Sequence, residues 1–365
     1  MGTSRTIKIG ILTAPHIEYT LHEHTFTLRN VRIGIGFHWD RHEDQDFAGT
    51  LEILPCPNPV LKRGKPWQVA VNTIGLEDYL CSVISSEMNA NSPMELLRAH
   101  AIISRSWAIR AMENKPHARI VNGKMTNIFD VCADDHCQRY EGLRRMNERA
   151  VEAVRSTEGQ VLAFDGKICD CRYHKCCGGR TEIWRTCWEN IDVPYIQSVE
   201  CPYCDPGRNV QMVDSLMADA LNDYDRETTD FHDWQVSYTD EELDAIIRDK
   251  SGIDFGHITA IEPLHRGPSG RIDSLRIIGT NHTEVIGKEL KIRLWLSRTC
   301  LYSSWFEVNH QSSAGSGQPL WVIRGHGWGH GAGLCQIGAA VMAQEGHDYR
   351  DILAFYYPGS ELRTL

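Results

Sequence analysis

One carboxylate, Glu87, has the placement that an acid/base catalyst needs. Leu76, Leu80, Val83 and Met88 recur at three-, four- and five-residue steps, which is the period of an amphipathic helix with one buried stripe. Glu87 follows Val83 by four residues, so its side chain falls on that apolar stripe. Desolvation there would raise the carboxyl pKa, so that it holds a proton near neutral pH. The alternative is a frayed last turn from which Glu87 points to water, and spacing alone does not separate the two.

Cysteine and histidine are concentrated in two stretches that have the chemistry of metal ligands. Cys132, His136 and Cys137 form a C-x3-H-C pattern, which offers two thiolates and one imidazole to a tetrahedral ion such as Zn²⁺. In the second stretch, His174 or Cys176 is the candidate for the fourth ligand, because residues of this type crowd there. The alternative for the crowded stretch is two or three disulfides. Its cysteines are Cys169, Cys171, Cys176, Cys177, Cys201 and Cys204, of which the last two form a C-x2-C half-site without a matched second half.

A glycine-dense stretch near the C-terminus carries two histidines, His326 and His330. Five glycines between 325 and 333 remove side chains, so backbone N–H groups are expected to face a ligand, with a helix starting near Ala332. Two histidines four residues apart on a helix would suggest a catalytic zinc pair. The glycines argue against a helix here, and no glutamate follows His326. We therefore expect His330 and Gln336 to hydrogen-bond a ligand or to position Glu87.

A second helix follows the first, and its sequence has a start signal. Ser92 and Glu95 have capping-box spacing, and Pro93 stands at the expected first helical position. Arg98 and Arg105 lie seven residues apart on one face, beside a stripe of small residues. Each arginine is either a solvated charge or the partner of a buried carboxylate.

The remaining elements predict a mixed α+β fold. Residues 1–74 read as short strands, TIKIGIL, FTLRNVRIGI, GTLEILP and WQVAVNTIG. Asp165-Gly166 predicts a hairpin turn, and Thr239 and Gly252 predict the two ends of a helix. HITAIEPLHR and GRIDSLRIIG read as strands joined by a Gly-Pro-Ser-Gly turn, and an acidic, loop-rich or helical stretch, SLMADALNDYDRETTDF, precedes them.

Three stretches resemble the SpoIID/LytB family of sporulation and cell-wall proteins. YLCSVISSEM…SPMELLRAHAIISRSWAI resembles the family's first motif, with Leu96, Arg98, His100, Ser104 and Ser106-Trp107 as departures. GHGWGHGAGLCQIGAAVMAQEGHDYRDILAFYYPGSEL resembles its glycine-rich motif and terminal Tyr-Tyr-Pro-Gly. GHITAIEPLHRGPSGRIDSLRIIG resembles the middle segment, so that the likeness covers most of the chain.

This resemblance implies a lytic transglycosylase that cleaves peptidoglycan glycan strands stripped of stem peptides, with Glu87 as the single acid/base. It implies structural zinc at Cys132, His136 and Cys137, as in some clostridial relatives. Other relatives are described as amidase enhancers, which implies a non-catalytic glycan binder with a partner hydrolase as the alternative. The expected glycan-binding residues are Arg105, Tyr195, His326, His330 and Gln336; for Tyr195, a role in packing is the alternative.

The patterns along the chain predict four parts. They are a β-rich lobe (1–74), a first part of the catalytic core (75–205), a small inserted α+β subdomain (206–320) and a C-terminal part of the core (321–365).

Charge and hydropathy limit the partners and the location. The net charge of −10 argues against a general nucleic-acid surface. No run approaches the roughly 18 apolar residues of a membrane span. The first residues, MGTSRTIKIGILTAP, lack the apolar core of a signal peptide. Because family members are usually exported to the cell envelope, we expect a leader outside this sequence; a cytoplasmic protein is the alternative.

Overall fold

The chain forms two compact units, seen in a computed structural model that describes residues 5–35, 40–56, 67–115, 117, 119–121, 124–205, 232–311 and 319–365. The first unit contains the described residues of Met1–Cys171 together with Glu361–Leu365, and the second contains those between Arg172 and Ser360. Both mix helices with small sheets, which confirms the predicted α+β class. No helix in these ranges is long and apolar enough to cross a membrane.

Two sheets of the first unit are built from its N-terminal strands. β1 pairs antiparallel with β6 and parallel with β9, which places Cys132 beside Gly10. The four-stranded sheet has the order β5-β6-β1-β9 and the three-stranded sheet the order β2-β3-β4. The strands of these sheets are β1 (Thr6–Ala14), β2 (Tyr19–Leu21), β3 (Thr25–Ile33), β4 (Arg41–Ala48), β5 (Thr50–Cys56), β6 (Trp67–Gly75) and β9 (Val131–Cys132). Among the described residues, β7 (Arg119–Val121) and β8 (Lys124–Thr126) pair only with each other.

The described part of the first unit also contains three helices, of which the first two contact these sheets and the third packs on the first two. α1 (Leu76–Glu87) follows β6 directly and is buried over nearly its whole length. α2 (Met94–Asn114) ends at Lys115, which is left-handed with φ of 51°, and α3 (Glu148–Ser156) is capped by the Asn147 side chain. β10 (Gln160–Phe164) then forms a sheet with β11 (Lys167–Ile168) and with the last strand, β20 (Glu361–Thr364).

Aromatic rings join α1 to the three-stranded sheet. Tyr79 packs on Tyr140 with ring centroids 5.2 Å apart, and Tyr140 packs on Phe47 at 5.6 Å. Phe47 in turn stacks on Phe26 at 5.4 Å. All four side chains are almost completely buried. Because interiors of this kind are closely packed, the position of α1, and with it Glu87, is set by the surrounding core.

The second unit has two antiparallel three-stranded sheets around one apolar core. β18 is the central strand between β13 and β17, and β15 is central between β14 and β16. The core includes Trp234, Leu243, Phe306 and Trp321. The elements are β13 (Asp233–Thr239), α5 (Asp240–Ser251), β14 (Ile258–Arg266), β15 (Ile272–Gly279), β16 (Thr283–Ile286), α6 (Glu289–Trp295), β17 (Phe306–Gln311) and β18 (Leu320–His326).

Short elements surround the glycine-rich loop of the second unit. β12 pairs in parallel with β19, which joins Tyr173 to Leu334 and His174 to Cys335. The elements are β12 (Tyr173–His174), α4 (Trp184–Cys187), a 3-10 turn (Pro202–Cys204), β19 (Leu334–Cys335), α7 (Gln336–Gln344) and α8 (Tyr349–Tyr356).

Several local predictions are confirmed. Asp165 and Gly166 both have positive φ and form the hairpin between β10 and β11. Thr239 forms a capping box with Glu242, and Gly252 ends α5 with φ of 70°. The Gly-Pro-Ser-Gly turn joins β14 to β15. These features depend on a few adjacent residues, which is why the local sequence is sufficient to predict them.

Other predictions differ from the structure. α2 begins at Met94, and Pro93 caps it without any side-chain hydrogen bond, so the predicted Ser92–Glu95 capping box is absent. The charged strand β4, RHEDQDFA, was missed because only alternate positions face the core. The predicted boundary at 320 runs through the start of β18, the central strand of a sheet. The acidic stretch 215–231 lies outside the described residues.

Candidate active site and metal-ligand groups

Glu87 is the last residue of α1 and is half-buried. Met88 turns the chain to an extended conformation, and its N–H donates to the Ile84 carbonyl at 3.0 Å. One Glu87 carboxylate oxygen, Oε1, accepts a hydrogen bond from the Arg139 backbone N–H at 3.1 Å. The carboxylate is therefore neither sealed in the core nor extended into bulk water, and its orientation depends on the segment that carries Arg139.

That segment lies along α1 and is held there by serine side chains. The Ser82 hydroxyl donates to the Gly142 carbonyl at 2.7 Å, and Ser86 Oγ accepts from the Glu141 N–H at 3.3 Å. Ser82 and Ser86 are buried. The Gly142 backbone has φ of +64°, and a Cβ there would lie 2.1 Å from the Asp46 carbonyl oxygen. α1 thus provides both the carboxylate and the surface that supports its hydrogen-bond donor.

Four potential metal ligands meet at the start of the same segment. The ligand atoms of His117, Cys132, His136 and Cys137 all lie within 4.8 Å of one another. His117 Nε2 lies 3.2 Å from Cys137 Sγ. His117 is therefore the fourth potential ligand, and the prediction of His174 or Cys176 for this place is wrong. No spacing in the sequence indicates His117. Two thiolates and two imidazoles suit tetrahedral Zn²⁺, so the residues fit the ion that the family resemblance implies.

The electrostatics of this group agree with a metal site. The pKa of Cys132 is lowered to about 3, first by a hydrogen bond from Cys137 and then by hydrogen bonds from His117 and His136. A thiolate is the form of cysteine that binds metal. The His117 ring packs on Phe129, with centroids 4.8 Å apart, and a Cβ on Gly10 would lie 2.7 Å from the Phe129 ring. Gly10 therefore leaves the space in which Phe129 supports His117.

Tyr79 connects Glu87 to this Cys/His group. Its hydroxyl donates to Gln138 Oε1 at 3.2 Å. The pKa of Tyr79 is raised well above its usual value, mainly by burial and then by the negative charges of Cys137, Cys132 and Glu87. The catalytic candidate and the metal-ligand candidates therefore lie around one buried phenol and belong to one structural assembly.

Arg105 does not have the environment of a substrate ligand. It is completely buried, and its Nε and NH2 donate to the two Glu77 carboxylate oxygens at 2.8 and 2.7 Å. NH1 donates to the Gln160 carbonyl at 3.0 Å, and NH2 also donates to the Val154 carbonyl at 3.3 Å. The guanidinium is buried and makes four hydrogen bonds to protein groups, which contradicts the prediction that Arg105 binds substrate. The alternative of a pair with a carboxylate, here Glu77, fits the structure.

The glycine-rich loop encloses a buried arginine. Arg271 is fully buried, and its Nε donates to the Gly329 carbonyl at 3.1 Å. A Cβ on Gly331 would lie 2.5 Å from the Arg271 guanidinium, and one on Gly327 would lie 2.9 Å from it. The glycines therefore create space for this side chain. Arg271 is far from the loop in sequence, and no local signal predicts their association.

The N–H groups of the loop are largely used within the protein. Gly327 donates to the His232 carbonyl, Trp328 to the Cys176 carbonyl and Gly329 to the Tyr302 carbonyl. The helix begins at Gln336 and not near Ala332. The expectation that these three N–H groups face a ligand is wrong, because they satisfy internal carbonyls.

His330, within the glycine-rich loop, and His174, beside it, form a neutral pair. His330 Nδ1 accepts from the Ala332 N–H at 3.0 Å, which leaves its proton on Nε2. His174 Nδ1 donates to the Ala332 carbonyl at 3.2 Å. The centroids of the His174 and His330 rings are 5.6 Å apart. Burial, followed by the charge of Arg271, lowers the His174 pKa to about 3. Burial also lowers the pKa of His330 well below its usual value, with His174 and nearby arginines as further causes.

His326 has a different set of neighbours. Its Nδ1 lies 2.5 Å from Asp233 Oδ1, and His232 Nδ1 lies 2.8 Å from Asp233 Oδ2. Among the described residues, the potential metal ligands that gather around His326 are His232 and Asp233, and they do not include His330. The structure therefore does not form the His326–His330 zinc pair that was considered from the sequence.

The other predicted glycan-binding residues also lie in the second unit. Tyr195 is half-buried, and its neighbours Pro194 and Ile196 line a cleft of about 350 Å³. Gln336 is the first residue of α7 and is buried. Glu182 is a further buried carboxylate of the second unit, and it is not among the residues predicted from the sequence. Its Oε2 accepts a hydrogen bond from the Ser269 hydroxyl at 2.6 Å.

None of the 13 cysteines forms a disulfide in the structure. Four of them instead form a second, fully buried group in the second unit: Cys177, Cys201, Cys204 and Cys335. The C-x2-C half-site at Cys201 and Cys204 therefore has a second half, which comes from two separate parts of the chain.

Comparison with known proteins identifies two matching family models. A model described as Stage II sporulation protein matches residues 66–164, which include α1, α2 and the Cys132–Cys137 segment. A model described as Domain of unknown function (DUF8618) matches residues 182–333.

Three relatives extend the likeness over most of the chain. An uncharacterized protein of Brachyspira hyodysenteriae is 28% identical over 317 residues, which cover 87% of this chain and 72% of that protein. Stage II sporulation protein D of Bacillus subtilis is 25% identical over 86% of this chain and 81% of its own length. The amidase enhancer of Bacillus subtilis is 26% identical over 78% of this chain, but the match covers only 40% of that longer protein.

Proposed function

The chain belongs to the SpoIID/LytB family, whose members act in sporulation and at the cell wall, and from that premise we propose that it is a peptidoglycan lytic transglycosylase. Its substrate would be glycan strands stripped of stem peptides, and its place of action would be the cell envelope. The observation that carries the proposal is the position of Glu87, a half-buried carboxyl whose orientation is set by the Arg139 N–H.

A single carboxyl group is sufficient for this reaction. Protonated Glu87 would donate its proton to the glycosidic oxygen as the bond to the muramoyl C1 breaks. The resulting carboxylate would then take the proton of the muramoyl 6-hydroxyl while O6 bonds to C1, which gives a 1,6-anhydro end and regenerates the acid. No water is consumed, and no second carboxylate is required, in contrast to ordinary glycoside hydrolysis.

The other carboxylates of the Cys132–Gly142 segment are engaged with protein groups. Asp134 accepts from the Gly34 N–H at 2.9 Å, and Asp135 pairs with Arg139 at 3.0 Å. Glu141 is buried and pairs with Arg145 at 2.5 Å. These pairings favour the one-carboxyl mechanism, because Glu87 has no companion on this segment that is placed to activate a water.

Zinc, when bound by His117, Cys132, His136 and Cys137, would act as a structural crosslink. The ligands would then hold the beginning of the segment that positions the Arg139 N–H against Glu87. His326, His330, Gln336 and Tyr195 remain our proposed glycan contacts. His330 is suited to this role because, as a neutral imidazole with its proton on Nε2, it can donate to a sugar hydroxyl.

Digestion of purified, peptide-free glycan strands tests the proposal. The wild-type protein should release fragments with 1,6-anhydromuramoyl ends, which mass spectrometry identifies by the absence of the water added in hydrolysis. Glu87→Gln should reduce the rate by at least about 100-fold, because it removes the proton donor and acceptor. Glu148→Gln, an exposed substitution at the start of α3, is the control and should retain full activity.

The likeness to the amidase enhancer supports a second candidate, a glycan-binding protein that stimulates a partner hydrolase. Such a protein would bind glycan strands without shortening them, and Glu87→Gln would leave both binding and stimulation unchanged. Glycan that stays intact with the wild-type protein, together with increased amidase activity, would reject the transglycosylase in favour of this candidate.

A further inference from the structure

We propose that Cys177, Cys201, Cys204 and Cys335 bind a structural Zn²⁺ ion in the second unit. The four sulfur atoms lie within 4.8 Å of one another, and every side chain is buried. They come from three separate parts of the chain: the loop after β12, the 3-10 turn and the end of β19. This group belongs to the second unit and is distinct from the Cys/His group beside Glu87.

The distances fit one tetrahedral ion. Zinc–sulfur bonds of about 2.3 Å place the corners of a tetrahedron about 3.8 Å apart. The Cys177 and Cys204 sulfurs are 3.2 Å apart, whereas a disulfide bond is about 2.05 Å long. Small movements of the side chains would therefore bring all four sulfurs to zinc. Iron–sulfur clusters place several metal atoms between the cysteines and require wider separations.

Neighbouring donors are placed to stabilise thiolates. Cys335 caps α7, and its sulfur accepts from the Gly338 N–H at 3.4 Å and from the Cys177 N–H at 3.3 Å. The Tyr356 hydroxyl lies 3.2 Å from the Cys201 sulfur. A Cβ on Gly338 would lie 2.8 Å from that sulfur, so only glycine allows α7 to approach so closely. A helix N-terminus favours negative charge, including that of a thiolate.

A buried cation balances part of the charge. Binding breaks four S–H bonds, forms four Zn–S bonds and releases four protons to solvent, so the site carries two net negative charges. Arg271 is fully buried and donates to the carbonyls of Cys177 and Cys176 at 3.1 and 3.5 Å. Its positive charge therefore lies beside the group, where a buried anion is otherwise costly.

Four protein ligands in a buried position indicate a structural role, because a catalytic zinc site keeps one position open for water or substrate. The ion would tie the 3-10 turn and the loop after β12 to the N-terminus of α7, directly after the glycine-rich loop. It would therefore stabilise the region that contains His330 and Gln336. The C-x2-C of Cys201 and Cys204 contributes two ligands from one tight turn, a spacing common in structural zinc sites.

Metal analysis and X-ray absorption at the zinc edge of the purified full-length protein test the site directly. If the Cys/His group and the four-cysteine group both hold zinc, we expect two zinc ions per chain and an average coordination shell of three sulfurs and one nitrogen. If only the four-cysteine group holds zinc, we expect one zinc ion per chain, coordinated by four sulfurs. A shell of two sulfurs and two nitrogens, iron in place of zinc, or no bound metal would each overturn the proposal.

Variants assign the ion to its ligands. Cys204→Ser should lose one zinc ion per chain, whereas Cys187→Ala, which changes another buried cysteine of the same unit, should keep the wild-type zinc content. If Cys204→Ser does not fold, cobalt substitution of Cys132→Ser/Cys137→Ser is decisive, because this variant removes the two thiolates of the other group and keeps all four proposed ligands. That protein should show the charge-transfer absorption of a tetrathiolate Co²⁺ site, and its absence would refute the assignment. A disulfide that includes any of the four proposed ligands, detected by peptide mapping after unfolding in chelator, would also refute it.

Discussion

The Arg105–Glu77 ion pair should be a main source of stability in the first unit. Arg105 has no exposed side-chain surface, and Glu77 retains 18% exposure. Removing one partner of such a pair leaves a buried charge without compensation, which costs about 3–5 kcal/mol. We therefore expect Glu77→Gln and Arg105→Met each to lower the free energy of unfolding by about 3 kcal/mol or more.

The double variant should recover much of this loss, because neither charge then remains buried alone. Its destabilisation should be smaller than the sum of the single effects by at least about 2 kcal/mol, which is within the range measured for contacting residues. Urea denaturation followed by circular dichroism and by intrinsic tryptophan fluorescence measures the stability of all four proteins. At temperatures where Arg105→Met is folded, its activity on glycan strands should match that of the wild type.

The Asp78–Arg155 pair is the matched control. It joins α1 to α3, but its side chains are 57% and 47% exposed. Asp78→Asn should therefore cost less than about 1 kcal/mol. Additive effects of Glu77→Gln and Arg105→Met, or costs no larger than that of Asp78→Asn, would refute the reasoning. Normal stability combined with loss of glycan cleavage in Arg105→Met would instead restore Arg105 as a substrate ligand.

Three further predictions concern the metal-ligand group, the glycine-rich loop and the buried His174. His117→Ala should lower zinc retention at the Cys132–Cys137 group at least about 10-fold in a chelator competition, whereas His24→Ala, on the exposed surface, should not change it. Gly331→Ala should destabilise the second unit by several kcal/mol, because φ at Gly331 is +83° and the new Cβ would meet the Arg271 side chain. Gly346 has φ of +94°, but no atom of the described residues lies within 4 Å of the place where a Cβ would stand, so Gly346→Ala should cost only about 1–2 kcal/mol. Thermal unfolding measures both variants. The lowered pKa of His174, about 3 against an ordinary 6.5, means that the unfolded chain binds the proton more readily; its contribution to stability is complete above pH 6.5 and is lost as the pH falls from 6.5 towards 3. At pH 5 the loss due to His174 should be about 2 kcal/mol. His174→Asn, which keeps an amide donor, should reduce the difference in stability between pH 7 and pH 5 by this amount in urea unfolding, and an unchanged difference would contradict the reasoning.

Local patterns in the sequence were enough for the elements whose cause lies within a few residues. The apolar period of α1 predicted the helix that ends at Glu87. Asp165-Gly166 and Thr239 predicted a hairpin and a helix start. The C-x3-H-C spacing predicted three residues of a group that the structure does bring together. In each case, the residues that interact are neighbours in the chain, so periodicity, turn conformation or spacing is sufficient.

Tertiary packing decided the associations between distant segments. His117 joins Cys132 and Cys137 because Phe129 supports it against β1, and Cys177 and Cys335 complete a half-site that looked isolated in the sequence. Whether Arg105 faces solvent or a carboxylate depends on Glu77, which lies on another helix. Such contacts arise when separate elements bury a shared surface, and that shared surface is not encoded in the spacing of any one segment.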